Sequence, residues 1–314
     1  MALQTSGQIS LNDLHIEAGG TTGTQVSLND TDIRGLISKS SGAQMSVSEW
    51  HGASNSVVIN LVIASNTNNY NIFSSKGGTY SAGKTTVNVT INSGVTVGST
   101  STGTYAFDTG TGWSSGDVIN ITNNGTIKGR GGNGGAGGNI TGGATIVLPG
   151  ANGGTGGPAF RGQFACTVTN NGSVYGGGGG GGGGGSGMSS VIDIKANTTT
   201  NTGTSGGGGG GGAGVNSGSG GLRGPTSTGN NVNNLGTNGS NGTATAGGAG
   251  GNNAGTGGGL GADGVAGAAE SLNPSQLSWR GAGGTGGTRG YYQVGSTFIN
   301  GGSGLSGTVG GRSA

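Results

Sequence analysis

The sequence predicts a chain that is mainly β-strand and polyglycine or polyproline II. Short N-terminal helices lead into a β-rich middle and then a C-terminal bundle of polyglycine II helices. Three observations carry this. A six-residue helix-start pattern occurs three times before residue 50, apolar and polar residues alternate between 56 and 128, and beyond Lys128 glycine recurs in blocks of three. The implied domains are 1–54, 55–128 and 129–314.

The N-terminal pattern is QISLND at Gln8–Asp13, QVSLND at Gln25–Asp30 and QMSVSE at Gln44–Glu49. Serine followed three residues later by an acid is a capping-box spacing, in which the hydroxyl accepts from a free N–H of the first helical turn. Ser10, Ser27 and Ser46 are the expected N-caps. Ile9, Val26 and Met45 stand where hydrophobic staples would. Gly19-Gly20, Gly35 and Gly52 end the segments, so three short helices are expected. Such helices are marginal alone, and about 50 residues barely make a core. Docking onto a larger assembly is therefore favoured over a self-contained helical domain.

In the middle, VVINLVIAS, TTVNVTINSGVTVGS and GDVINITNNGTIKG alternate β-branched and polar residues, with Asn-Gly turns between them. A β-sandwich and a few β-solenoid rungs fit equally well. Phe107 and Trp113 are expected to fill its core.

Glycine supplies 85 of the 314 residues, against ~7% in ordinary proteins. Net charge is only +2 and there are four prolines. That argues against a charged disordered chain, and collagen would need glycine at every third position with abundant proline. From Gly131 the chain reads GGN, GGA, GGN, and GGTGGP, GGAGGN and GGTGGT follow later. A flexible linker has no reason to keep that period. Polyproline II has three residues per turn, so two glycines in three leave two bare edges for close backbone approach. Buried rods must bond to their neighbours. Runs with no side chain at all, Gly176–Gly185 and Gly206–Gly212, should be innermost, with Gly176, Gly180 and Gly185 on the central rod. About eight rods are expected, near 129–138, 150–157, 176–187, 205–214, 217–224, 247–261, 281–290 and 301–311. TNNGTIKGRGG at 122–132 also echoes TNNGSVYGGGG at 169–179, 47 residues on.

Chemistry-bearing groups are sparse. His15 and His51 sit in no triad or metal-ligand spacing, and packing or surface roles are expected. Beyond residue 127 there are three acids, Asp193, Asp263 and Glu270, against eight Lys and Arg. A glycosidase needs two carboxylates about 5–9.5 Å apart, and only Asp263 and Glu270 share a segment. No catalytic, cofactor-binding or metal-binding residue is predicted, and the chain is not expected to be an enzyme. The scattered positive charge is too thin for nucleic-acid binding. Cys166, in an apolar run, should be a buried thiol. No signal peptide or membrane-inserting segment is expected.

The glycine rods joined by variable loops, over roughly residues 122–312, resemble the tip adhesins of T-even-type phage long tail fibres. The N-terminal ISLNDLHIEAGG, VSLNDTDIRGLI and MSVSEWHGAS are similar to the start of tailed-phage fibre and baseplate proteins, including those of cyanophages. The tip adhesins do not as a rule carry that segment. The resemblance implies a virion protein, assembled in the host cytoplasm, whose bundle holds loops against the host surface. Implied partners are other tail or baseplate proteins, through residues 1–54, and a host receptor, either an outer-membrane protein or a glycan. Homo-oligomers are common among phage fibres, though no coiled coil is present.

Aromatic and arginine side chains are favoured anchors on rigid scaffolds. Trp279, Arg280, Arg289, Tyr291 and Tyr292, around one rod, are the expected receptor contacts, against the plainer role of capping rod ends. The alternatives are a structural connector without receptor contact and, more remotely, a glycine-rich antifreeze protein.

Overall fold

The computed structural model describes residues 2–141, 146–225, 231–271 and 277–314. It is mainly β, with few helices. Two compact units are distinguished, one of residues 1–61, 76–88 and 112–119, the other of the remainder.

In the first unit, α1 (Leu11–Ala18) begins at Ser10, whose hydroxyl accepts from the Asp13 N–H while Asp13 accepts from the Ser10 N–H. These bonds from Ser10 hold the Asp13 carboxyl below its usual pKa. Gly19, at φ 102°, ends the helix in the left-handed conformation that glycine tolerates best. The second helix departs from expectation. α2 (Thr31–Gly35) starts after Asp30, so Ser27 is not its N-cap. Residues 27–30 form a turn instead, with the Asp30 N–H on the Ser27 carbonyl at 3.0 Å. Arg34 secures it by donating from Nε to Asn29 Oδ1 at 2.9 Å and from Nη1 to the Ser40 carbonyl. The third copy is a single 3₁₀ turn, Val47–Trp50, in which the Ser46 N–H donates to Glu49 Oε2 at 2.7 Å. Leu3, Leu14, Ile33 and Trp50 close a small core, and Trp50 Nε1–H donates to the Ile33 carbonyl at 3.1 Å.

The β-rich middle is a solenoid. Thr67–Asn68, Thr96–Gly98, Thr126–Lys128, Ser173–Tyr175 and Thr308–Gly310 pair in parallel, in that order, as one sheet. Tyr70–Asn71, Phe107–Asp108, Phe160–Arg161, Tyr291–Val294 and Arg312–Ser313 form a second parallel sheet. Val57–Ile63, Thr85–Ile91, Val118–Asn123 and Cys166–Asn170 line up as a third. A parallel bridge from Cys166 to Ile299 continues it. The chain thus visits three sheets in a fixed rotation, which a sandwich would not do.

Registered columns fill the interior. Val97, Ile127 and Val174 are paired in line and fully buried. Phe107 stacks between Tyr70 and Phe160, at 5.7 and 5.4 Å between ring centroids. Trp113 is not in this column; it is half-buried and packs edge-on against Tyr80 in the first unit. The 47-residue echo is one solenoid turn. Asn123 Nδ2 donates to Asn170 Oδ1 at 2.8 Å, and Asn171 Nδ2 to Asn124 Oδ1 at 3.0 Å.

One corner of the solenoid is built in two ways. On the first and last turns it is closed by a single residue of positive φ, Asn69 at 51° and Gly311 at 133°. On the third and fourth turns it opens into residues 129–159 and 176–290, which hold the glycine runs.

Those runs carry no helix or strand assignment, yet they are tied together at every third residue. The N–H groups of Gly177, Gly180 and Gly183 donate to Gly157, Gly154 and Ala151. Those of Gly178, Gly181 and Gly184 donate to Ala213, Gly210 and Gly207, and those of Gly179, Gly182 and Gly185 to Ala262, Val265 and Ala268. Three further runs donate into the same segment: Gly132, Gly135 and Gly138; Gly255 and Gly258; Gly284, Gly287 and Gly290. Residues 176–185 are therefore surrounded by six runs, three accepting and three donating. Residues 206–214 are bonded on all sides in the same manner, and both segments are buried throughout.

Two rod assignments change. Residues 247–259 fold back at Asn252–Ala254, where Asn253 has φ 56°, and so form two short runs. Residues 301–311 are not a rod: Gly301, Gly302, Gly304 and Gly307 have positive φ and lead into the solenoid strand Thr308–Gly310. Residues 236–243 and 262–268, expected as connections, are bonded into the array.

Candidate functional site

The register of the runs sorts their connections between two ends. Gly138 bonds Gly184, Gly206 bonds Gly138, Gly224 bonds Gly206, and Gly281 bonds Ser186. The described parts of the connections that follow these residues, 139–141, 146–149, 186–205, 231–235 and 277–280, therefore lie at the end away from the solenoid. Ser186, fully buried, ties two of them, since its hydroxyl engages the carbonyls of Asn139 and Leu148 at 2.9 Å.

These connections carry a four-stranded sheet in the order Asn231–Asn234, Thr198–Thr204, Gly187–Asp193, Leu277–Arg280. The hairpin Gly187–Thr204 is antiparallel, and its turn is fixed by Asp193 Oδ1, which accepts from the N–H groups of Lys195 and Ala196. Met188, paired with Trp279, is buried and anchors the sheet to the array. Toward the tip the apolar side chains turn outward: Val191, Ile192 and above all Ile194, 90% exposed. Trp279 is exposed as well. Exposed apolar residues at the free end of the array are candidates for an interaction surface.

The five expected contact residues do not form one patch. Trp279 and Arg280 lie on the strand Leu277–Arg280 at the free end. Tyr291 and Tyr292 lie on the solenoid strand Tyr291–Val294, beyond the run 281–290. There the Arg312 guanidinium covers the Tyr291 ring at 4.2 Å. Arg289 is near that same end, its N–H donating to Asp263 Oδ1 at 2.7 Å. An uninterrupted extended run separates the two groups.

Sequence reasoning missed the apolar tip, whose signal was the short run Val191-Ile-Asp-Ile194 in an otherwise polar connection. It also missed what asparagine does in the triplets. Asn133 Oδ1 accepts from the Ser219 N–H at 3.1 Å, Asn152 from Thr285 at 2.9 Å and Asn241 from Gly220 at 2.8 Å. On outer runs the third residue thus satisfies an outward N–H of the next run, which lacks a further rod to bond.

Among the described residues no cluster of His, Cys, Asp and Glu could hold a metal ion. Among the same residues no helix is long and apolar enough to cross a membrane. Asp263 faces Arg289, and Glu270 accepts from Asn253. Cys166 is buried, which pushes its thiol up to about 12.

The solenoid thus opens at one corner into a cross-bonded glycine array, with side-chain-rich connections at the array's free end. The chain belongs to the family of the phage tail fibre adhesin Gp38, which matches residues 58–314. It is thus a phage tail-fibre component of the virion. Among solved structures it is similar to the gp37-gp38 adhesin tip complex of the bacteriophage S16 long tail fibre, at 20% identity and TM-score 0.44, over 99% of this chain and 100% of that one. No curated protein matches it.

Proposed function

We propose that this chain attaches a phage to its host by binding a cell-surface receptor, an outer-membrane protein or a glycan, with the free end of its glycine array. The runs of 129–138, 150–157, 176–185, 206–214 and their neighbours are polyglycine II helices packed as a bundle, the finding behind this being hydrogen bonds repeating at every third residue. Receptor contact is made by Trp279 and Arg280 together with Val191, Ile192 and Ile194. Arg289, Tyr291 and Tyr292, at the other end of a run about 30 Å long, stand outside it. Residues 1–54, which precede the segment matched by the family, mount the chain on other tail or baseplate proteins, with the capped turns at Ser10 and Ser46 shaping the mount. The solenoid turns, which take in residues 160–175 and 291–313 as well as 57–128, serve as the base, and the runs and connections within 129–159 and 176–290 as the display domain. The mechanism is binding without a chemical step.

The observation that carries this reading is the 90% exposure of Ile194 at the tip of a hairpin anchored by buried Met188. A rigid display loses little entropy on contact. Purified chain is expected to bind host cells and compete with phage adsorption, and Ile194→Asp combined with Trp279→Ala to abolish both without altering the melting temperature. Undiminished competition by that variant would sink the proposal. Phage carrying it that adsorbs normally but assembles poorly would favour a structural connector.

A further inference from the structure

Two cavities on the flank of the second unit, near the solenoid rather than at the free end, share Thr102 and Thr155 in their walls. The larger, about 400 Å³, has an apolar lining of Tyr105, Pro158, Tyr291 and Val294, with Arg312 across it. The smaller, about 280 Å³, adds Ser101, Arg130 and Asn133. Their volumes fall in or close to the range of about 300–1,000 Å³ in which small-ligand sites occur.

The composition of this groove is selective. No Asp or Glu side chain lines either cavity and each contains an arginine, with the terminal residue Ala314 also in the wall of the larger. Arg312 lies against the Tyr291 ring at 4.2 Å, and its Nε is buried with no acceptor. A buried donor left unbonded is costly, and hydrogen bonds to charged groups are the stronger ones. Arg130 uses Nη1 to donate to the Thr100 carbonyl at 2.8 Å, which holds the side chain in place. The array's period sets the polar wall: Asn133 and Thr155 are the outward third residues of their triplets.

We infer that this groove binds an anionic saccharide, through Arg312 and Arg130 for the acidic group, Thr102 and Thr155 for ring hydroxyls, and Tyr105, Pro158 and Tyr291 for the apolar face of the sugar. A neutral sugar would leave the arginines uncompensated, and a purely apolar ligand would desolvate them. The anion is a uronic-acid carboxylate or a sugar phosphate, since both match a guanidinium. This site is separate from the free-end contact and does not depend on it.

The test is titration of the full chain, followed by saturation-transfer NMR and calorimetry, with digalacturonate, glucose 6-phosphate and maltose. Either acidic probe is expected to bind in the millimolar range, roughly tenfold more tightly than maltose. Binding by digalacturonate alone assigns a carboxylate, and by glucose 6-phosphate alone a phosphate. Arg312→Gln is expected to weaken binding roughly tenfold, the loss of one charge-assisted bond, and Arg130→Gln, on a side chain at the surface, gives a second reading should Arg312→Gln fail to fold. Equal binding of maltose, absence of binding by both acids, or unchanged affinity in the folded arginine variants would overturn the inference.

Discussion

Gly180→Val tests the array at its centre. A Cβ built at Gly180 would stand 1.9 Å from the Asn133 carbonyl oxygen and 2.4 Å from its carbon, both backbone atoms, where real Cβ contacts do not fall below 3.0 Å. No side chain is there to swing aside, so a backbone must move. Three short bonds are then at stake: Gly180 N–H to Gly154 at 2.8 Å, Gly287 N–H to Gly180 at 2.7 Å, and Gly154 N–H to Asn133 at 2.7 Å. A buried peptide group left unpaired costs about 1–3 kcal/mol, which gives roughly 3–9 kcal/mol. The loss of glycine's excess unfolded entropy returns only about 0.4–1 kcal/mol. Against a total stability of about 5–15 kcal/mol, the variant should melt roughly 5–30 °C lower or fail to fold. Ala136→Val is the control, because Ala136 faces outward and is exposed on its run. Calorimetry of both reads the difference. If Gly180→Val melts within about 2 °C of the parent chain, with the array intact by circular dichroism, the close-packed account of these glycines is wrong.

Other sites give sharper local readings. Trp50→Ala should cost about 3–5 kcal/mol in a unit whose helical core has only four buried side chains, seen as early proteolysis within residues 1–54; unchanged protease resistance would contradict that core. Asp108 accepts from Arg161 Nε at 3.1 Å, Gln163 Nε2 at 2.7 Å and the Gly110 N–H at 2.9 Å, and the bond from Asp108 strengthens proton binding by Arg161. Asp108→Ala should lower stability by about 1–3 kcal/mol, Arg161 being partly solvated, and denaturation curves that superimpose would refute it. Cys166 should resist a thiol reagent at pH 8 in the native chain and react on unfolding. Because its native pKa is pushed up to about 12 from 9.0, the native state keeps a proton that the unfolded state has lost. Its contribution to stability is full below pH 9 and falls as pH rises towards 12. Rapid native labelling would exclude the buried position.

Much of this protein was legible in the order of its residues. Ser10 followed by Asp13 announced the first helix cap, and alternation in Thr85–Ile91 announced a strand, because both depend on neighbours a few positions apart. The period of three and the uninterrupted Gly176–Gly185 were readable for a similar reason. A missing side chain at every turn position is a statement about available space, whichever partner fills it. What the sequence could not carry was which partner. Asn123 on Asn170 is one solenoid turn, but only the folded chain distinguishes that from one strand pair of a sandwich. Residues 301–311 have the glycine content of a rod and become turns and a strand, because Gly301, Gly302, Gly304 and Gly307 adopt positive φ. Trp279 and Tyr291 look adjacent in sequence terms and stand at opposite ends, because a ten-residue extended run lies between them. The groove of Arg130, Tyr105 and Arg312 joins residues from three distant segments, and no local pattern marks it. Sequence by itself determined which edges of the chain are bare. The tertiary structure decided what lies against each edge, since hydrogen-bond partners in a solenoid and a cross-bonded array are set by register between segments far apart along the chain.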